Sequence, residues 1–190
     1  MKNKTILFNS FNTLSIDKNI LNVFMTLIGS LSIGLLAQAS IPIPFSPVPI
    51  TGQTIGVVLV GSLLGKRLGS LSIMLYLMEG SLGLPVFANM QAGTHILIGP
   101  TGGYLFGFII AAFFMGYCKE KGFILSPINC FLACFVSTTI ILLIGSFYLS
   151  ILVGSIHKGL AIGFYPFLIG DIIKSFICTF IIQGSRRLYS

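Results

Sequence analysis

Six apolar stretches, separated by polar or Pro/Gly-rich breaks, organise this chain of 190 residues. The first runs from about residue 20 to 40, and a helix of that length rises about 30 Å, the thickness of a bilayer's hydrocarbon core. The second, about 52–64, is short and stops at Gly65-Lys66-Arg67, and the third covers about 68–84. The fourth opens at Pro100-Thr101-Gly102-Gly103 and ends near Cys118. The fifth, about 126–153, is long enough to tilt, and the sixth, about 160–183, precedes Arg186-Arg187. The pattern predicts an all-α integral membrane protein, a bundle of six transmembrane helices. Residues 1–19 form a polar N-terminal arm and 20–190 the transmembrane domain, with no tandem repeat. Residues 41–49 read Ile-Pro-Ile-Pro-Phe-Ser-Pro-Val-Pro. Alternate prolines lack an amide donor and lock φ, which excludes helix. Non-helical backbone at membrane depth is tolerated only against protein or a water-filled cavity, so this segment is either an external connector or part of a pocket wall.

Charge orients the bundle. Of 11 Lys and Arg residues, nine (Lys2, Lys4, Lys18, Lys66, Arg67, Lys119, Lys121, Arg186 and Arg187) lie in the N-terminal arm, every second loop and the C-terminal tail. The intervening loops hold Lys158 alone. Lys and Arg accumulate on the cytoplasmic side, so both termini are expected there, leaving three nearly uncharged Pro- and Gly-rich loops outside. The net charge of +7 comes in small groups at span ends. That distribution fits membrane orientation and contact with anionic membrane lipid, not nucleic acid. Charged residues make up 8% of the chain and mean hydropathy is +1.01, against about 25% charged in soluble domains. The polar first 19 residues, followed by an apolar run longer than an h-region, predict no cleavable signal peptide.

Cys118, Cys130, Cys134 and Cys178 lie in or beside apolar segments without a C-x-x-C pair, which favours packing as small hydrophobes over metal or redox chemistry. Asp171 and Lys174 stand inside the sixth span, where each ionisable group costs about 2.5–3.5 kcal/mol. Their i, i+3 spacing puts both on one helix face, towards the bundle interior. The pair is read either as a structural salt bridge or as a floor for a hydrogen-bonding ligand, one group accepting and the other donating. Glu79, near the outer end of the third span, either snorkels to the interface or pairs across the bundle. His95 and His157 read as polar loop residues. In the outer stretch 83–104, glycines allow close backbone approach to a ligand, Asn89 offers a donor and an acceptor, and Phe87 and Tyr104 offer apolar faces. Gly61-Ser62-Leu63-Leu64-Gly65-Lys66-Arg67 is one residue short of a Walker A loop and lacks its Ser or Thr, so energy for uphill transport must come from a partner or an ion gradient. Ser30 and Gly34 form a small-xxx-small surface, for packing in the bundle or against a partner helix.

Five blocks then occur in order: Pro49-Ile50-Thr51-Gly52-Gln53-Thr54, Tyr76-Leu77-Met78-Glu79-Gly80, Gly83-Leu84-Pro85-Val86-Phe87-Ala88, Gly99-Pro100-Thr101-Gly102-Gly103-Tyr104-Leu105-Phe106-Gly107-Phe108 and Gly170-Asp171-Ile172-Ile173-Lys174. Together they resemble the biotin-specific substrate-binding (S) component of the energy-coupling factor transporters, over roughly residues 20–183. The resemblance implies a six-helix protein that captures biotin from outside and works with a transmembrane coupling subunit and two cytoplasmic ATPases, without cofactor, metal or catalytic turnover. It implies that Asp171 and Lys174 floor the biotin site, with Asn89, Phe87, Tyr104 and Gln53 as further biotin-binding residues, and that Ser30 and Gly34 meet the coupling subunit. Which end of biotin meets Lys174 stays open. The outer loop lacks an Arg for the biotin carboxylate, leaving His95, backbone amides or solvent for that role. The rival reading is a solitary secondary transporter or channel using Asp171 and Lys174. An intramembrane enzyme would need a second intramembrane Asp or a His partner for Asp171, and the sequence supplies neither.

Overall fold

The computed structural model describes residues 17–187. Lys2 and Lys4, and with them most of the expected N-terminal arm, lie outside the described residues. The chain runs α1 (Lys18–Ala37), β1 (Ser40–Ile43), β2 (Ser46–Thr51), α2 (Gln53–Ser81), α3 (Thr94–Ile98), α4 (Gly102–Glu120), α5 (Pro127–Leu152), α6 (Ile156–Gly163) and α7 (Leu168–Arg187). Among the described residues, five helical stretches are long and apolar enough to cross a membrane. Their outer faces are apolar side chains such as Val23, Phe24 and Leu27 on α1 and Phe176 and Phe180 on α7, all exposed. This is the inverse of a soluble surface and suits a lipid environment.

The second and third apolar stretches are one unit, α2, broken at Gly65. Its φ of 82° and ψ of 177° are non-helical, in a region only glycine reaches without strain. The chain reverses there. Gly61 and Gly69 touch backbone to backbone, and a methyl group on Gly69 would come within 3.0 Å of the Gly61 Cα. A straight helix would hold residues eight apart about 12 Å from each other. Glu120 at the end of α4 holds the reversal, accepting from the Lys66 backbone N–H at 3.1 Å and pairing with Lys66 Nζ at 3.2 Å. Lys119 Nζ donates to the Leu63 carbonyl beside the break.

The proline-rich segment forms an antiparallel hairpin, with Ser40 opposite Thr51, Ile41 opposite Ile50 and Ile43 opposite Ser46. Exclusion of helix was right, but the strands lay beyond the sequence reading. The irregular register between Ile41 and Ile43 brackets Pro42, which has no amide to give to the ladder. The hairpin has a structural task. The first half of α2, residues 53–64, rises only about 18 Å of a bilayer core about 30 Å thick, and the hairpin leads directly into its N-terminal end.

The main core lies between α1, α2, α4 and α5 and contains Ile33, Val57, Ile73, Tyr76, Phe108 and Ile141. A second cluster gathers Met115, Cys130, Cys134 and Cys178. All four cysteines are free and buried, serving there as small apolar side chains.

Candidate functional site

The local chemistry of two loops and one broken helix places the site. After α2, residues 82–93 fold back across its C-terminal end, fixed by bonds from Leu84 N–H to Glu79 O (3.1 Å) and from Gly93 N–H to Gly80 O (2.7 Å). This drives the Phe87 ring into the bundle, where it is 1% exposed. It meets Tyr76 edge-on at 5.5 Å and 86°, a favoured geometry for aromatic pairs. Gly80 makes the seat: a methyl group there would overlap the Phe87 ring. Asn89 and Met90 follow with φ of 57° each, left-handed conformations that cost non-glycine residues about 1 kcal/mol or more.

A cavity of about 220 Å³ opens between the hairpin, this turn and the parts of α2, α4, α5 and α7 nearest them. It lies just under the usual lower bound of about 300 Å³ for small-molecule pockets, room for a compact ligand. All six residues expected from the sequence (Gln53, Phe87, Asn89, Tyr104, Asp171 and Lys174) line it, although 121 positions separate Gln53 from Lys174 in the chain. The hairpin residues Pro42, Ile43, Ser46, Pro47, Val48 and Pro49 line it too, so of the two roles left open for that segment it takes the pocket wall. Leu105, Phe108, Ile141, Leu142 and Phe167 make an apolar girdle.

The polar groups divide by their engagement. Gln53 is held within the protein: its Oε1 accepts from Thr51 Oγ1 at 3.0 Å and its Nε2 donates to the Tyr76 hydroxyl at 2.6 Å, which donates onward to Val86 O at 3.2 Å. The Tyr104 hydroxyl donates to Gly163 O at 2.7 Å, anchoring α4 to α6 and leaving the ring as an apolar wall. Asp171 and Lys174 are not so engaged. Asp171 is 4% exposed and receives a long bond from Thr139 Oγ1 at 3.4 Å. Of the two readings left open for this pair, the salt bridge is not formed: among the described residues, Lys66–Glu120 is the salt bridge within 4 Å. The i, i+3 spacing puts both groups on the cavity wall without bringing carboxylate and ammonium into contact. An acceptor and a donor therefore both line the cavity, outside salt-bridge distance of each other.

Three further sequence expectations change. Ser30 and Gly34 turn inward. Ser30 is fully buried and donates to Glu79 Oε2, and a methyl group on Gly34 would rest 3.4 Å from the Val86 side chain. These two positions pack within the bundle, and Glu79 takes the role of a carboxylate paired across it. The glycines of 83–104 do not line the cavity; Gly102, for example, meets the Leu97 carbonyl where a side chain would stand. His95 is exposed on α3 and outside the cavity wall.

Gln38, which no sequence motif marked, completes the site from behind. At the end of α1 its Nε2 donates to Gly34 O at 2.9 Å and Phe87 O at 3.3 Å, and its Oε1 accepts from the Met90 N–H at 3.0 Å. One amide thus spans the left-handed turn that presents Asn89. Thr54 also lines the cavity, and its Oγ1 is buried without a partner.

Comparison with known proteins agrees with this geometry. The family model described as the BioY family matches residues 8–190. A biotin transporter BioY of Thermotoga maritima is 41% identical over 155 residues, 81% of this chain and 90% of that protein. A probable biotin transporter BioY of Pyrococcus horikoshii is 39% identical over 137 residues, 72% of this chain and 80% of that protein. A crystal structure of the S-component for biotin from an ECF-type ABC transporter superposes with a TM-score of 0.80 at 25% identity, over 91% of this chain and 95% of that one.

Proposed function

This chain belongs to the BioY family, and from that premise we propose that it captures biotin at the membrane as the substrate-binding component of an energy-coupling factor transporter. It is a multi-pass membrane protein and a transport subunit, not an enzyme. The observation that carries the reading is the convergence of Asp171, Lys174, Asn89, Gln53, Phe87 and Tyr104 on one compact cavity, with an acceptor and a donor on its wall that form no salt bridge with each other.

The chemistry of those two groups sets the ligand's direction. Biotin's ureido ring carries two N–H donors and one carbonyl acceptor. A carboxylate with spare lone pairs calls for N–H groups, and an ammonium calls for an acceptor. Biotin's own carboxylate beside Asp171 would instead place like charges together in a low-dielectric wall. The ureido ring therefore sits on Asp171 and Lys174, and the thiophane ring and valeryl chain lie in the girdle of Tyr104, Leu105, Phe108, Leu142 and Phe167. Asn89 closes the outer side, and Phe87 and Gln53 shape the wall.

Reversal of the chain at Gly65 gives six crossings, with both termini cytoplasmic and the cavity opening outward. A transmembrane coupling subunit and two ATPases would supply the energy, since no complete Walker A loop stands in this sequence. The test is equilibrium binding of labelled biotin to the purified chain in detergent, with thiamine and riboflavin as competitors. Tight binding that neither vitamin displaces is expected; a folded protein that does not bind biotin would overturn the assignment.

A further inference from the structure

With the ureido ring on the Asp171–Lys174 floor, as proposed above, the ligand's tail leaves through the rim between the hairpin and the 87–91 turn. The rim's charge is the informative feature. Among the described residues of the cavity wall Lys174 is the one cation, and it belongs to the floor. His95 on α3 and His157 and Lys158 on α6 are exposed and stand outside the wall. The rim is poor in donors as well as in charge. Pro42, Pro47 and Pro49 have no backbone N–H, and the N–H of Val48, between two of them, already donates to Ser46 Oγ at 3.1 Å. What the rim offers is one hydroxyl, that of Ser46, and the side-chain amides of Asn89 and Gln91, both exposed, each amide presenting one acceptor and one donor group.

A carboxylate is held tightly by a cation or by several converging N–H groups. This rim supplies neither. It matches a carboxamide, which donates and accepts as Asn89 and Gln91 do. Pro42 and Pro47 are also exposed, so a substituent on that amide has a route to solvent. We propose that the cavity takes neutral, amide-linked derivatives of biotin as readily as the free acid, so that its ligand class extends to conjugates such as the amide with a lysine ε-amine.

The test is competition against labelled biotin by biotin carboxamide and by Nε-biotinyl-lysine, with the purified chain in detergent. Each should compete within about threefold of free biotin, because no charge-assisted bond is lost. A site that gripped the carboxylate would lose roughly tenfold to a hundredfold on its removal, and a loss beyond the threefold range would overturn the proposal. Gln91→Arg supplies the missing cation and should make the protein prefer the acid by about tenfold. An unchanged ratio in that variant would mean that the tail does not pass Gln91 and would overturn the proposal too. Failure of biotin itself to bind would instead remove the functional reading on which this one rests.

Discussion

Replacing Asp171 by Asn should move stability and affinity in opposite directions, and that opposition separates a ligand group from a structural one. Asp171 is 4% exposed and its carboxylate accepts a long bond from Thr139 Oγ1 at 3.4 Å, with no salt bridge to Lys174 within 4 Å. A charge at membrane depth costs about 2.5–3.5 kcal/mol to insert, and Thr138, Lys174 and Thr139 offset that less than burial opposes it. Asn keeps the size and one acceptor while removing the charge, so the unliganded variant should melt no lower than the parent. With biotin bound, the carboxylate accepts ureido N–H groups, and charge-assisted bonds contribute about 1.5–3 kcal/mol each. Loss of one such bond should raise Kd by about tenfold to a hundredfold. The assay pairs labelled-biotin binding with thermal unfolding of the empty protein in the same detergent. A lowered melting temperature with unchanged biotin affinity would refute the reasoning and make Asp171 a strut of the bundle.

Other consequences follow from the same geometry. Gln38→Ala removes the amide that spans the Asn89–Met90 turn; it should speed biotin release and weaken binding about tenfold, measured by dissociation of labelled biotin, and an unchanged off-rate would show that the turn holds itself. Gly80→Ala drives a methyl group into the Phe87 ring; it should destabilise the fold by about 1–3 kcal/mol in a thermal-unfolding assay and weaken biotin binding with it. Cytoplasmic reporters fused after Arg67 and Lys121 should be active and one near His95 inactive, and the reverse pattern would invert the topology.

Much of this structure was legible in the sequence because membrane depth leaves few options. Long apolar runs must be helices, prolines at 42, 44, 47 and 49 exclude helix, and ionisable groups such as Asp171 must face inward. The six site residues were found partly by resemblance, and the cavity shows why they belong together. Other features depend on geometry that spacing does not encode. Ser30 and Gly34 have the spacing of a helix-contact surface, but which neighbour they meet is set by how α1 rotates against α2, and Glu79 decides it by accepting from Ser30. The i, i+3 rule brought Asp171 and Lys174 to one wall yet said nothing of whether their charged ends would touch. Gln38 was silent because a single Gln at a helix end is common, and its partners lie about 50 residues away. The hairpin was hidden because prolines weaken the alternation by which strands are read.

The reversal at Gly65 bears on how the protein is made. A segment of about 18 Å is a poor stop or start signal for the machinery that threads chains into a bilayer. Residues 53–64 are unsuited to entering alone, and a single-residue turn ties them to residues 66–81 with no spacer. The two halves, in backbone contact at Gly61 and Gly69, are therefore expected to enter the lipid as a pair. The wall that begins at Gln53 then arrives already attached to the helix carrying Tyr76, so this side of the binding chamber is assembled in one step of biogenesis.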